Sequence, residues 1–487
     1  MRPLRPYTYL GTAQGMCREC RSLVPARVFE ENGAVYQERI CPKCGAARAR
    51  LADNVDWYLD RLATAVQCKP GLLPGAPIKA GCPKDCGPCA AHANACHLPV
   101  FSVTNACNME CPICFTYNRA DQKYFMSRQE LRALLDKLIE RVGPLDLINI
   151  TGGEPTLHPD ILRLLQECKR PEIGRVTMNS NGLRLAADED FCRTLADLGI
   201  YIVLSFDTLQ TERSQTIHGR GVTMHKQRAL DNLQRFGVGT TLINVMIRGV
   251  NDDEIGEIIR LAKTHSVVRS VTVQTMTFTG NGGRNFKPRE TMPLDGAAKA
   301  IEVATKGEMQ GSDFFAHTSA HPLCYSVAYY LKDGENYRSL TDFLSIDELR
   351  SMLAQGYLLK PGENGRELFR QGIDRLWADG DPSNLLPAVR RLVDRMYPAG
   401  GSLTGAERQA AAEQGLLAVY LHSHMDEDTL DLARLAVCPD QVPDPEGRLI
   451  SACAYNLFYR QKDARFWAPR TVETRSTCPV SHRNPEG

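Results

Sequence analysis

The sequence predicts an α/β protein built around an open, partial (β/α)6 barrel, with a metal-binding knob before it and a mainly helical, cysteine-bearing region after it. Three observations lead there. Over residues 99–276, short apolar or β-branched runs alternate with amphipathic stretches of helical period, as expected for parallel strands joined by helical crossovers. Ahead of that stretch lie closely spaced cysteines, and behind it the alternation stops. At 487 residues the chain has room for several domains. The expected division is 1–60 for a metal ribbon, 61–98 for an auxiliary iron–sulfur segment, 99–280 for the barrel and 281–487 for a substrate and auxiliary-cluster region.

Within the barrel the expected strands are 100–104, 147–150, 175–179, 201–206, 240–247 and 267–276. Ser127 and Glu130 form a capping box ahead of a helix whose inward face carries Leu131, Leu134, Leu135, Leu138, Ile139 and Val142. Further helices are expected over 160–168, 191–198, 225–236 and 252–263. Six units are too few for a closed eight-fold barrel, so the sheet should stay open. Barrel chemistry sits at the C-terminal strand ends. Glu154, Asn179-Ser180-Asn181, Ser205-Phe206-Asp207 and Gln274 all fall there. Gly280-Asn281-Gly282-Gly283 reads as a loop over the barrel mouth, and Ala399-Gly400-Gly401-Ser402 as a linker.

The chain has 18 cysteines. Its first residues lack the apolar core of a secretory signal, and many cysteines are two or three residues apart, so metal binding is favoured over disulfides. A reducing, oxygen-poor cytoplasm follows. A net charge of +1 gives no reason to expect nucleic acid or an anionic membrane. No apolar run reaches the ~18 residues of a transmembrane span.

Cys17-Arg18-Glu19-Cys20 and Cys41-Pro42-Lys43-Cys44 have the spacing of a tetrahedral four-thiolate site, with Asn32-Gly33 as a hairpin turn between two strands. Zinc in a ribbon or iron in a rubredoxin-like site both satisfy it, for docking or for electron relay. Cys82, Cys86 and Cys89 form a further triplet, completed by Cys96 or, if Cys96 is a buried free thiol, by His92 or solvent. Cys107, Cys111 and Cys114 place three thiolates on one loop, where a cubane normally takes four. Cys324, Cys438 and Cys453 can make one more cluster, with or without Cys478. His422-Ser423-His424, followed by Asp426, Glu427 and Asp428, reads as a metal site, a capped polar turn or a substrate contact.

The Cys107/Cys111/Cys114 loop, followed about one βα unit later by Thr151-Gly152-Gly153-Glu154-Pro155, resembles the radical S-adenosylmethionine (radical SAM) enzymes. The resemblance implies a [4Fe-4S] cluster whose open iron takes the amino and carboxylate groups of SAM. One electron into the cluster then releases methionine and a 5′-deoxyadenosyl radical. Carried over, Gly152, Gly153 and Glu154 hold the methionyl amino group and Phe115 packs near adenine. Asn181, Ser205 and Asp207, with Asn244 and Gln274, are candidates for the ribose and carboxylate.

More narrowly, Cys82-Pro83-Lys84-Asp85-Cys86-Gly87-Pro88-Cys89-Ala90-Ala91-His92 between the ribbon and the radical SAM motif resembles the folate-linked (class D) methylases and the tetraether lipid synthases. That resemblance implies one or two auxiliary [4Fe-4S] clusters and one zinc or rubredoxin-like iron. The expected activity is carbon–carbon bond formation, by methyl transfer or alkyl coupling, at an unactivated carbon of a small-molecule or lipid substrate. A flavodoxin- or ferredoxin-like protein would supply electrons. The alternatives are methylation of a pterin-type heterocycle, or a non-catalytic iron–sulfur carrier or sensor.

Overall fold

The computed structural model describes residues 6–467 except 74, 88, 117–122, 284, 285, 287, 288, 354, 355, 360, 361, 383 and 402. Cys478 therefore lies outside the described residues. Four antiparallel strands come first: β1 (Thr8–Met16), β2 (Leu23–Glu31), β3 (Ala34–Cys41) and β4 (Gly45–Ala52). Asn32 and Gly33 join β2 to β3 with φ of +54° and +80°, the left-handed pair that a tight hairpin requires. One face buries Val28, Val35 and Ala52 against Tyr58.

This ribbon is docked by charge. Arg39 of β3 is buried, donates to Asp428 Oδ1 at 2.8 Å and also reaches the Glu427 carbonyl. Gln37 Nε2 donates to the Leu430 carbonyl at 2.8 Å.

The second sheet has twelve strands. Its centre is the run of parallel strands expected from the sequence: β5 (Leu98–Thr104), β6 (Ile148–Gly152), β7 (Val176–Ser180), β8 (Tyr201–Ser205), β9 (Thr240–Met246) and β10 (Val268–Thr275). Helices Arg128–Val142, Glu189–Asp197, Thr223–Phe236 and Ile255–Thr264 bring apolar side chains into one core with the strands. Ser127 Oγ accepts from the Glu130 N–H and caps the first of them.

The sheet continues beyond residue 280. The later strands are β11 (Phe315–Ala316), β12 (Tyr325–Asp333), β13 (Asn336–Ser339), β14 (Leu416–His422), β15 (Asp440–Pro443) and β16 (Leu449–Ser451). β14 runs parallel to β10, and β12 pairs antiparallel with β14. At the other edge β15 pairs parallel with β5. The strand order is β11-β12-β14-β10-β9-β8-β7-β6-β5-β15-β16, with β13 on β12.

The two ends of this order meet through side chains. Tyr325 Oη of β12 donates to Asp440 Oδ2 of β15 at 2.5 Å, and His422 Nε2 at the end of β14 lies 3.8 Å from the same oxygen. The barrel thus closes along a polar seam rather than a backbone ladder. Four helices, Ile346–Leu353, Glu363–Ala378, Leu386–Met396 and Gly405–Gly415, form a second core against β12 and β14. Among the described residues, no helix is long and apolar enough to cross a membrane.

Candidate active site

A cavity of about 430 Å³ runs down the barrel interior from the Cys107–Cys114 loop. Cys107, Cys111 and Cys114 all line its upper end. Burial, together with the charge of Glu154 on Cys107 and of the neighbouring thiols, pushes Cys107 up to about 11 and Cys111 up to about 12. A cationic metal core would relieve that penalty. The three sulfurs do not crowd as closely as ligands of a single ion do. Among the described residues, only Cys17, Cys20, Cys41 and Cys44 bring all their ligand atoms within 4.8 Å of one another. The looser triplet suits a cluster, and the tight quartet suits one tetrahedral zinc.

The end of β6 holds the cysteine loop. The Gly153 N–H donates to the Thr104 carbonyl at 2.8 Å, and the Glu154 N–H to the Ala106 carbonyl at 2.7 Å. A Cβ on Gly153 would stand 2.2 Å from the Ala106 oxygen, so only glycine allows this approach. Glu154 is 1% exposed. Its Oε1 accepts from Thr156 Oγ1 (2.7 Å) and Ser180 Oγ (3.0 Å), and its Oε2 from the Asn181 N–H (2.7 Å). Burial raises its pKa, and those donors oppose the rise. Across the mouth, the Gly283 N–H donates to the Pro112 carbonyl at 3.1 Å, so the 280–283 turn presses on the cysteine loop.

Gly152, Gly153, Glu154, Asn181, Ser205, Gln274 and Phe115 all line the cavity. Phe115 stacks on His424, with ring centroids 4.8 Å apart. Gln274 Nε2 lies 3.4 Å from both His422 Nδ1 and His424 Nε2.

Asp207 and Asn244 differ from expectation: neither lines the cavity. Asp207 is 1% exposed and turned inward, accepting from Ser205 Oγ (2.9 Å) and the Val245 N–H (2.7 Å). His218 Nε2 lies 3.3 Å from its Oδ2 and Lys226 Nζ 3.9 Å. Asn244 Nδ2 donates to the Asp207 carbonyl at 3.1 Å, bracing the turn. Lys226 donates to both the carbonyl and hydroxyl of Ser205, at 2.7 and 2.9 Å. Burial pushes Asp207 and Lys226 toward their neutral forms, and each charge holds the other back. His218 and Lys226 escaped sequence reasoning. The signal for Lys226 was its place on the helical face shared with Ala229, Leu230 and Leu233.

Cys96 is likewise not with its expected partners. It is 3% exposed and packed in the barrel core. Cys82, Cys86 and Cys89 instead share a small cavity with His92. Cys324, Cys438 and Cys453 lie near enough for the charge of one to raise the pKa of another. Arg434, also missed, donates to Cys324 Sγ from Nε (3.3 Å) and Nη2 (3.2 Å). His424 Nδ1 is 3.7 Å from Cys453 Sγ, so one ring touches both Phe115 and the distal cysteines.

The 426–428 carboxylates are committed elsewhere. Asp426 Oδ1 caps its own turn through the Asp428 and Thr429 N–H groups, both at 3.0 Å, and Asp428 pairs with Arg39 and Arg289. His422 and His424 alone of that run line the cavity.

Residues 101–262 match the radical SAM superfamily, and residues 9–53 match the HMPTM N-terminal zinc ribbon domain. The chain carries a radical SAM domain behind a zinc ribbon. It is 25% identical over 480 residues to a 7,8-dihydro-6-hydroxymethylpterin dimethyltransferase of Methanocaldococcus jannaschii, covering 92% of this chain and 93% of that one. A GTP 3′,8-cyclase of Chlorobaculum tepidum is 34% identical over 178 residues, covering 36% of this chain and 52% of the cyclase. Among solved structures, Streptococcus suis SuiB bound to S-adenosylmethionine aligns with a TM-score of 0.37 at 20% identity, over 44% of this chain and 47% of SuiB.

Two outcomes follow. Gly153→Ala should cost about 2 kcal/mol by forcing the loop away and should lower iron content while zinc is retained, as read by denaturant unfolding and metal analysis. Burial pushes His218 down to about 2 from 6.5. The unfolded chain therefore takes up a proton near pH 6.5 that the folded chain refuses. The stability contribution is complete above about pH 6.5 and is lost progressively as pH falls toward 2. His218→Gln should flatten that decline in the metal-free chain, measured by urea midpoints from about pH 7.5 to 5.

Proposed function

We propose that this chain methylates carbon on a reduced pterin-type heterocycle, using SAM. The observation that carries this reading is the end-to-end match with the Methanocaldococcus jannaschii dimethyltransferase, which takes in the ribbon, the barrel and the distal region together. The cavity supports it over a lipid chain. Gln274, His422, His424, Tyr325, Tyr357 and Asp440 converge along the seam side. Asp440 Oδ1 is buried and lacks a hydrogen-bond partner among the described residues. The cavity-lining polar groups of that side, Gln274, His422 and His424 among them, can hydrogen-bond the edge of a heterocycle and find no partner on an apolar chain. Burial holds Asp440 up to about 7.

In this reading Cys107, Cys111 and Cys114 hold the [4Fe-4S] cluster. Gly152, Gly153 and Glu154 offer the strand edge to the methionyl group, with Asn181 and Ser205 beside the nucleotide and Phe115 against adenine. Asp207 and Lys226 position Ser205 from behind without touching the ligand, and His218 stands beside Asp207 in the cavity wall. The bound cluster and SAM supply a reductively formed 5′-deoxyadenosyl radical. The barrel walls exclude water, and the seam residues orient the acceptor carbon. Cys82, Cys86 and Cys89 hold one auxiliary centre; Cys324, Cys438 and Cys453 hold another. A flavodoxin- or ferredoxin-like donor in a reducing cytoplasm completes the system.

The test is anaerobic reconstitution with SAM, dithionite, 6-hydroxymethyl-7,8-dihydropterin and a methylene-tetrahydrofolate-type one-carbon donor, because SAM spent as 5′-deoxyadenosine leaves its methyl on methionine. Expected products are 5′-deoxyadenosine and a methylated pterin, read by mass spectrometry. Cys111→Ala should abolish both while the ribbon keeps its zinc. Loaded clusters without 5′-deoxyadenosine would sink the enzymatic reading. Nucleoside formation without methylated pterin would sink the substrate.

A further inference from the structure

The 79–92 segment is built around a point. The N–H groups of Lys79, Ala80 and Gly81 all donate to Asp85 Oδ2 at 2.7 Å, folding the loop back on itself. Tyr459 Oη donates to the Pro83 carbonyl at 2.6 Å and holds it from outside. Beyond Cys89 the chain makes one turn, in which the His92 N–H donates to the Cys89 carbonyl at 3.0 Å and returns the imidazole to the cysteines. Cys82, Cys86, Cys89 and His92 then line one small cavity, floored by Leu435 and Leu449.

Cys96 is placed elsewhere: it is 3% exposed, packs into the main hydrophobic core and does not line that cavity. The two nitrogens of His92 are not equivalent. Nε2 lies 3.1 Å from the Cys438 carbonyl oxygen. Gln441 Nε2 lies 3.0 Å from the same nitrogen and donates to the same carbonyl at 3.2 Å. Nε2 is taken up by these two neighbours, and Nδ1, which has no hydrogen-bond partner among the described residues, is the nitrogen open to a metal; a metal there would set the tautomer with Nε2–H toward the Cys438 carbonyl.

We propose that Cys82, Cys86, Cys89 and Nδ1 of His92 form the ligand set of the auxiliary iron–sulfur centre, with the Nε2–H bond to Cys438 tying it to the distal cysteine site. This rests on the auxiliary-centre reading above and adds its fourth ligand. A neutral imidazole in place of a thiolate makes the centre less negative and raises its reduction potential, as histidine ligation does in Rieske centres. The hydrogen bond fixes tautomer and ring plane, the usual second partner of a metal-bound histidine. It also gives a short path from the ring through the Cys438 peptide to its sulfur. One electron lost by either centre can be gained by the other without any bond being made or broken.

The experiment uses the full chain carrying Cys107, Cys111 and Cys114 each replaced by Ala, so that only the auxiliary centres report. Reconstituted protein labelled with ¹⁵N-histidine is reduced and examined by pulsed electron paramagnetic resonance, iron analysis and redox titration. A directly bonded histidine nitrogen should be seen. His92→Cys should remove that coupling, keep the iron and lower the midpoint potential; Cys96→Ser should change none of the three. Absence of the coupling, its undiminished survival in His92→Cys, or loss of iron in Cys96→Ser would overturn the assignment. Cys86→Ala should lose one cluster's worth of iron. Undiminished iron there would remove the auxiliary centre itself, and the fourth ligand with it.

Discussion

Two backbone hydrogen bonds carry the rest of the site. Gly153 and Glu154 donate to the carbonyls of Thr104 and Ala106, so the end of β6 and the start of the cysteine loop are held as one piece of backbone. Where the three thiols converge, and where the nucleotide-facing strand edge stands relative to them, follow from that contact. It needs glycine, because any Cβ at residue 153 would enter the space of the Ala106 oxygen. Glu154 then reaches across to Ser180 and Asn181 on the next strand end, spreading the constraint along the barrel rim. Behind the rim, the buried Asp207–Lys226 pair does the same for Ser205. Removing either partner would leave an uncompensated charge in the interior.

The barrel's closure uses a different kind of contact. A continuous ladder would have sealed the sheet with satisfied backbone groups and left nothing for a ligand. Here the far strands meet through Tyr325, His422 and Asp440, and the groups that join the sheet also face the cavity. Structure and recognition are therefore drawn from the same side chains.

Much of this was legible in the sequence, for reasons that are local. The Ser127 capping box, the Asn32-Gly33 turn and the paired CxxC each depend on residues close along the chain. The six parallel strands announce themselves by composition and spacing. β14 and β15 did not, because their place depends on pairing with β10 and β5 across about 150 to 340 residues, and β12 in turn depends on β14. Asp207 lies just past the end of β8, where the in–out alternation of a strand no longer dictates direction, so sequence placed it at the rim but could not aim it. For Cys96 and His92, spacing admits both, and only the turn after Cys89 decides which side chain returns.

The docking of the ribbon onto residues 427–430 joins an early part of the chain to a late one. The seam has the same property, since β5 waits for β15. During synthesis the cysteine loop is thus made long before the strands that enclose it. Until residues beyond 440 leave the ribosome, the nascent barrel stays unsealed, so the interior below the cysteine loop is enclosed only at the end of synthesis.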